Sequence, residues 1–197
     1  MLSTRIFCLV SSTDDLSLLC DLAEAGVDGF QVRDKAATTR ELVELTRVVI
    51  GAVRPYGASV VVDDRLDVAL ATGADGVHLG ADDLPVDLAV VCAPDLLVGA
   101  TCRDRDDVER AAAAGAAYAG FGPVFATTSK AGLPPALGVP AITAASGVLP
   151  LVAIGGIDAG RVRPVVDAGA HGVAVLGAIW SKPDPVAAAK ELVQELG

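Results

Sequence analysis

Apolar runs of strand length recur along the chain, at Ile6–Val10, Gly29–Arg33, Ser59–Asp64, Gly76–Gly80, Leu97–Thr101, Ala119–Phe125, Leu151–Ile157 and Gly172–Ile179. Between them lie amphipathic or alanine-rich stretches with helical spacing. These are Asp14–Ala25, Thr38–Val53, Arg65–Ala71, Pro85–Cys92, Arg105–Ala114, Pro140–Ala145, Ala159–Ala168 and Asp184–Leu196. Asp14, Thr38 and Asp158 stand where helix N-caps belong, and Asp184 precedes Pro185, which suits a first helical turn. Strands alternating with helices in this way predict an α/β fold with a parallel sheet, open or closed.

A repeat favours closure. Ala or Thr followed by Gly ends a helix and leads into an even-numbered strand at Gly26, Gly73, Gly115 and Gly169. Successive spacings of 47, 42 and 54 residues each match one βαβα unit. Glycine suits a left-handed helix stop, so the repeat has a simple local cause. Its regularity nonetheless predicts one (β/α)8 TIM-barrel domain over residues 1–197, with an open doubly wound sheet as the alternative.

Composition narrows this further. The chain is 52% hydrophobic but only 4% aromatic, and Ala, Val and Leu dominate, as suits strands covered by helices. No segment approaches the roughly 18 uninterrupted apolar residues of a membrane helix. Ile6–Val10 is too short for a signal-peptide core, so a soluble, cytoplasmic chain is expected. The four cysteines form no CxxC pair and have no histidine at metal-ligand spacing, which fits a reducing compartment. A net charge of −10 argues against a nucleic-acid surface. The oligomeric state, a homo-oligomer included, is left open.

Barrel enzymes build their sites at the C-terminal strand ends, and polar residues gather at those ends here. Gln31, Arg33 and Lys35 are spaced by two, so an extended backbone points all three to one side. Two cations and an amide in a row suit a polyanion such as pyrophosphate. Asp63 and Asp64 end the third strand, and Asp82 and Asp83 follow the fourth. Asp64 with Asp83 offers the one or two carboxylates that Mg2+ needs beside substrate phosphate oxygens. One aspartate of each pair is expected to cap the following helix, Asp63 or Asp64 the one that begins near Arg65 and Asp82 or Asp83 the next. His78 lies within a strand, where a packing or hydrogen-bonding role is expected. The segment Ala126–Gly132 carries Thr127, Ser129 and Lys130 and reads as an anion clamp that closes. The seventh strand pattern ends through Gly155-Gly156 and the eighth carries Gly177, beside the loops where this fold places a phosphate on backbone N–H groups.

In combination these motifs resemble the thiamine-phosphate synthase family. The matching stretches are QVRDK at Gln31, VDDRLDVALATGADGVHLGADDLP from Val62, VGATCRD from Val98, GPVFATTSK from Gly122, AIGGI from Ala153 and HGVAVLGAI from His171. The resemblance implies a barrel transferase that joins a hydroxymethylpyrimidine pyrophosphate to a thiazole phosphate, releasing pyrophosphate. It implies that Gln31, Arg33 and Lys35 lie along the pyrimidine pyrophosphate, Asp63 and Thr101 touch that substrate, and Lys130 meets its pyrophosphate. Arg33, Lys35 and Lys130 would be the catalytic cations. Thr127, Ser129, Gly156, Leu176 and Gly177 would surround the thiazole phosphate, and Asp64 and Asp83 would hold magnesium. Four positions depart from the commonest family pattern: Asp34 for Glu, Asp63 for Asn, Thr101 for Ser and Gly177 for Ser. Asp63 is the departure that changes chemistry, because a carboxylate accepts hydrogen bonds but cannot donate as an amide does.

The implied reaction needs a stabilised leaving group and a dry site rather than a nucleophile, and no Ser/His/Asp or Cys/His constellation is present. Two rival readings stay open at this point. One is a related thiazole tautomerase, which needs a proton-transferring histidine where this chain has Pro123. The other is a non-catalytic barrel that binds thiamine precursors.

Overall fold

Residues 2–127 and 134–197 are described by the computed structural model. Their strands are β1 Ile6–Val10, β2 Gly29–Val32, β3 Ser59–Asp63, β4 Gly76–Leu79, β5 Leu97–Cys102, β6 Tyr118–Phe121, β7 Leu151–Ile154 and β8 Gly172–Val175. All neighbours are parallel, and β8 pairs back onto β1, so the sheet is a closed barrel in sequence order. The open doubly wound alternative is thereby removed. Helices α1 Leu19–Glu24, α2 Thr39–Val53, α3 Leu66–Thr72, α4 Val86–Cys92, α5 Arg105–Ala113, α6 Val139–Ala145, α7 Ala159–Asp167, α8 Gly177–Trp180 and α9 Pro185–Leu196 complete the fold.

The helix signals operate as local chemistry requires, with instructive exceptions. Thr38 and Glu41 form a full capping box at the start of α2, which buries Leu42, Leu45, Thr46, Val49 and Val53 at helical spacing. Asp184 caps α9 ahead of Pro185. Asp14 does not cap a helix. Its carboxylate accepts from the backbone N–H and hydroxyl of Ser11, and Asp15 caps a short 3-10 turn, Leu16–Leu18, that precedes α1. Asp158 occupies the N-cap of α7 without a side-chain hydrogen bond there, and pairs with Arg161 at 3.8 Å. The four repeated glycines all adopt positive φ, from 69° at Gly73 to 108° at Gly169, as a left-handed helix stop demands.

Three strands end three or four residues before their apolar runs do. β6 stops before the cis Gly122-Pro123 peptide, and β7 stops where Gly155 and Gly156 turn to positive φ. The run Gly172–Ile179 divides into β8 and the short helix α8, in which Ile179 and Trp180 donate backbone N–H to Leu176 O. An apolar run of that length cannot distinguish strand from buried helix. The Trp180 indole N–H reaches Leu9 O at 2.7 Å and ties α8 to β1.

Side chains alternate across the barrel wall. Outward-facing Cys8, Val10, Phe30, Val32, Val60 and Val62 merge with the helices into the main core. Phe7, Leu9, Val61, Tyr118, Val152 and Ala174 form a separate, smaller cluster inside the ring. Space there is scarce. A Cβ on Gly99 would lie 2.1 Å from the Tyr118 ring, and one on Gly120 would lie 2.6 Å from His78 Cε1. At the N-terminal end of the barrel, Asp28 accepts from the N–H groups of Arg5 and Ile6, and Asp75 accepts from Val60 N. Those carboxylates serve the ends of strands rather than a ligand.

Gly99→Ala is therefore expected to destabilise the fold by about 1–3 kcal/mol, because the ring it meets has no room to retreat. Chemical denaturation measures this, and an unchanged midpoint would mean that the interior is looser than described.

Candidate active site

The C-terminal mouth of the barrel opens into a cavity of about 800 Å³. Its lining includes Gln31, Arg33, Lys35, Asp63, Asp64, Asp83, Thr101, Thr127, Gly156, Leu176 and Gly177. The structure thus gathers eleven of the thirteen residues singled out in the sequence at one place. Ser129 and Lys130, the other two, lie outside the described residues. A cavity of this size accommodates two small substrates together.

The row from β2 converges on one carboxylate. Gln31 Nε2 donates to Asp63 Oδ1 at 2.7 Å, and Arg33 Nε meets Asp63 Oδ2 at 3.1 Å. Lys35 Nζ lies 3.7 Å from the same oxygen and also pairs with Asp64. Strand pairing explains the convergence, because Gln31 is in register with Val61 and Asp63 follows two residues later on the same face. Asp63 is thus an anchor for the cation row, a role that acceptor-only chemistry suits and an amide could fill only in part.

Asp64 should point away from the mouth if strand alternation continued. It does not, because its φ of 62° places it in the left-handed region, a conformation that Asp tolerates better than most residues. Its backbone N–H is held by His78 O at 2.7 Å, and the next N–H, of Arg65, returns to Asp63 O. The twist turns two consecutive carboxylates toward one cavity. Neither caps α3, whose N-cap is Arg65, and neither Asp82 nor Asp83 caps α4, whose N-cap is Pro85. Asp83 instead accepts from Gly80 N at 2.7 Å, folded back over the end of β4. A Cβ on Gly80 would meet that carboxylate at 2.8 Å, so a larger residue here would displace the Asp83 side chain from this contact.

Across the cavity, the turn after β7 packs on the loop after β6. Val124 and Phe125 donate to Ile154 O and Gly155 O at 2.8 and 3.0 Å. A Cβ on Gly156 would come within 2.5 Å of Ala126 O. Both glycines have positive φ, so backbone shape and close approach demand them together. Leu176 and Gly177 line the same side.

Sequence reasoning missed Arg161 and Lys182, which also line the mouth. Arg161 donates to Gly156 O and lies over the Phe125 ring at 4.7 Å. Its place in the first turn after the glycine pair was the available signal. Tyr118 was missed as well, since an apolar strand context conceals an inward hydroxyl. Its hydroxyl lies 3.2 Å from His78 Nδ1, and His78 Nε2 lies 3.0 Å from Thr101 Oγ1. His78 therefore has the hydrogen-bonding role expected of it. Burial holds its pKa below the ordinary histidine value, against the opposing charges of Asp63 and Asp83.

A (β/α)8 barrel whose C-terminal mouth joins a cation row, carboxylates and a glycine-lined turn defines an enzyme acting on small phosphorylated substrates. Comparison with known proteins makes this particular. The thiamine monophosphate synthase family model matches residues 5–179, and the chain belongs to that family. Thiamine-phosphate synthase of Salinispora tropica is 48% identical over 163 residues, covering 81% of this chain and 78% of the relative. That of Chlorobium phaeovibrioides is 42% identical over 174 residues, covering 87% and 83%. A thiamine biosynthesis bifunctional protein ThiM/ThiE of Symbiobacterium thermophilum is 43% identical over 97% of this chain, which spans only 40% of that longer relative. The solved thiamine phosphate pyrophosphorylase of Pyrococcus furiosus superposes with a TM-score of 0.89 at 33% identity, covering 98% of this chain and 95% of that one. Thiamine-phosphate synthesis, a transferase reaction, is the activity these similarities assign to the chain. No helix among the described residues is long and apolar enough to cross a membrane.

The turn that carries Lys35 is organised by Asp34, which accepts from the Ser12 N–H and hydroxyl and from Ala36 and Ala37 N–H. The Ser12 hydroxyl, above the other contacts, holds the Asp34 carboxyl below its ordinary 3.8. A depressed carboxyl contributes its hold above the unfolded pKa and loses it as pH falls through the folded one. Ser12→Ala is expected to raise the Asp34 pKa toward 3.8, as read by a carbon NMR titration of the carboxyl groups. An unmoved titration would take Ser12 out of this account.

Proposed function

We propose that the chain joins a hydroxymethylpyrimidine pyrophosphate to a thiazole phosphate at this mouth, by a dissociative substitution assisted by magnesium. The observation that carries the reading is the convergence of Gln31, Arg33 and Lys35 on Asp63, facing the Gly155-Gly156 turn across one cavity. The first cluster suits a pyrophosphate, and the second suits a monophosphate held by backbone N–H groups.

Charge in the mouth supports a metal. Among the described residues lining it, five aspartates (Asp63, Asp64, Asp82, Asp83 and Asp158) face four cations (Arg33, Lys35, Arg161 and Lys182). A polyanion entering that field needs added positive charge. Asp64 and Asp83 supply hard oxygen donors in a pair that phosphate oxygens can complete, which suits magnesium. When bound there, the ion neutralises charge on the pyrophosphate.

The residues of the chain account for the rest. The carbon–oxygen bond to pyrophosphate breaks, and the electron pair leaves with the phosphate oxygen. Arg33 and Lys35 stabilise that departing charge, with Lys130 as a third cation. The thiazole ring nitrogen then donates its lone pair to the pyrimidine methylene carbon, forming the new carbon–nitrogen bond. Leu9, Ile154 and Leu176 supply an apolar wall, which limits capture of the cation by water. Asp63 keeps Arg33 and Gln31 in place, and Thr101 faces the pyrimidine substrate. The thiazole phosphate lies against Thr127, Ser129, Gly156, Leu176 and Gly177.

Incubation with both substrates and magnesium is expected to release pyrophosphate, and omission of either substrate should prevent it. Asp64→Ala is expected to lower kcat/KM on the order of a hundredfold and to flatten the magnesium dependence. A variant that keeps the wild-type magnesium profile would overturn the metal assignment.

A further inference from the structure

The interior of the barrel holds a polar chain that runs against its apolar surroundings. Tyr118 is 2% exposed, stacks on Phe7 on one side and on His78 on the other, and has its hydroxyl 3.2 Å from His78 Nδ1. His78 Nε2 continues to Thr101 Oγ1 at 3.0 Å, and Thr101 is exposed at the mouth. Two glycines, Gly99 and Gly120, are required for this stack to fit. No step of the reaction proposed above uses Tyr118 or His78.

The direction of the hydrogen bonds follows from burial. A neutral imidazole donates from one ring nitrogen and accepts at the other, so the chain must run one way. If His78 donated from Nδ1, the Tyr118 hydrogen would be left without an acceptor in a buried place, at the full cost of desolvation. If Tyr118 donates to Nδ1, every buried hydrogen is used. His78 then donates from Nε2 to Thr101 Oγ1, and the Thr101 hydrogen is directed to an acceptor in the cavity. The end that faces the cavity can find such an acceptor in water or ligand; the buried end cannot.

We infer that Tyr118 and His78 are positioning residues that orient the Thr101 hydroxyl as a donor to the pyrimidine pyrophosphate. The inference rests on the reading of Thr101 as a contact of that substrate. The acceptor it meets is a phosphate oxygen or a ring nitrogen of the ligand. The same constraint accounts for a hydroxyl residue at this position, since no other neutral side chain so small can both accept from His78 and donate onward.

The chain has only two histidines, His78 and His171, so imidazole nitrogen NMR of protein carrying isotope-labelled histidine resolves them, with His171→Asn as the assignment control. His78 is expected to carry its hydrogen on Nε2 in the ligand-free wild type. A hydrogen on Nδ1 would overturn the inference, whatever the activity of the protein. Tyr118→Phe should shift the Nδ1 resonance and lower kcat/KM for the pyrimidine pyrophosphate roughly tenfold, with the KM for thiazole phosphate nearly unchanged. Equal losses for both substrates would reduce Tyr118 to a packing role and overturn it. Thr101→Ser, which keeps the hydroxyl, should retain more of that kcat/KM than Thr101→Val; equal losses in the two would also overturn it. Should the wild type show the Nε2 hydrogen yet make no thiamine phosphate, the functional reading fails while the orientation stands.

Discussion

A closed ring of eight parallel strands encloses a narrow space, and every side chain that points inward competes for it. Most of the chemistry of this protein is an outcome of that competition. Near the N-terminal end of the ring the space is filled by Phe7, Val61 and Tyr118. Toward the C-terminal end the ring opens into the cavity, whose lining includes Gly120, Gly122 and Gly155. Inward positions two residues further along the same strands become the site, so packing and function lie on one continuous set of positions.

Closure also explains how charges separated in sequence act together. Gln31 and Arg33 reach Asp63 because β2 and β3 are adjacent and in fixed register. Asp63 is in register with His78, and Thr101 with Gly120, so the mouth is assembled around the ring one strand at a time. A carboxylate between two cations is costly to desolvate unless it is fully paired, and Asp63 is paired on both oxygens. Its substitution for the amide common in the family therefore has a structural logic. It exchanges a group that can donate to a ligand for one that holds the cation row.

Much of this was legible in the chain. Alternation of apolar runs, the N-cap at Thr38 and the recurrent glycine stops are local signals, and each proved to be a local structure. Spacing by two was enough to place Gln31, Arg33 and Lys35 on one side of a strand end. The ends of β6, β7 and β8 were less legible, because apolar residues continue into turns and into α8 for tertiary reasons. Trp180 is helical and anchored on Leu9, a contact between residues far apart in sequence.

By itself, then, the sequence determined the alternation of strands and main helices, a parallel sheet with a glycine repeat that favours closure, the family resemblance and most of the residues that meet at the mouth. Those properties follow from period, turn chemistry and motif, which act over a few residues. The tertiary structure alone decided what each polar group is paired with. It turned Asp64 into the cavity through a left-handed backbone, folded Asp83 back onto Gly80, brought Arg161 to Gly156 and joined Tyr118 to Thr101 through His78. The physical reason is that hydrogen bonds and ion pairs depend on distances of a few ångströms between separate strands, and only closure of the ring sets those distances.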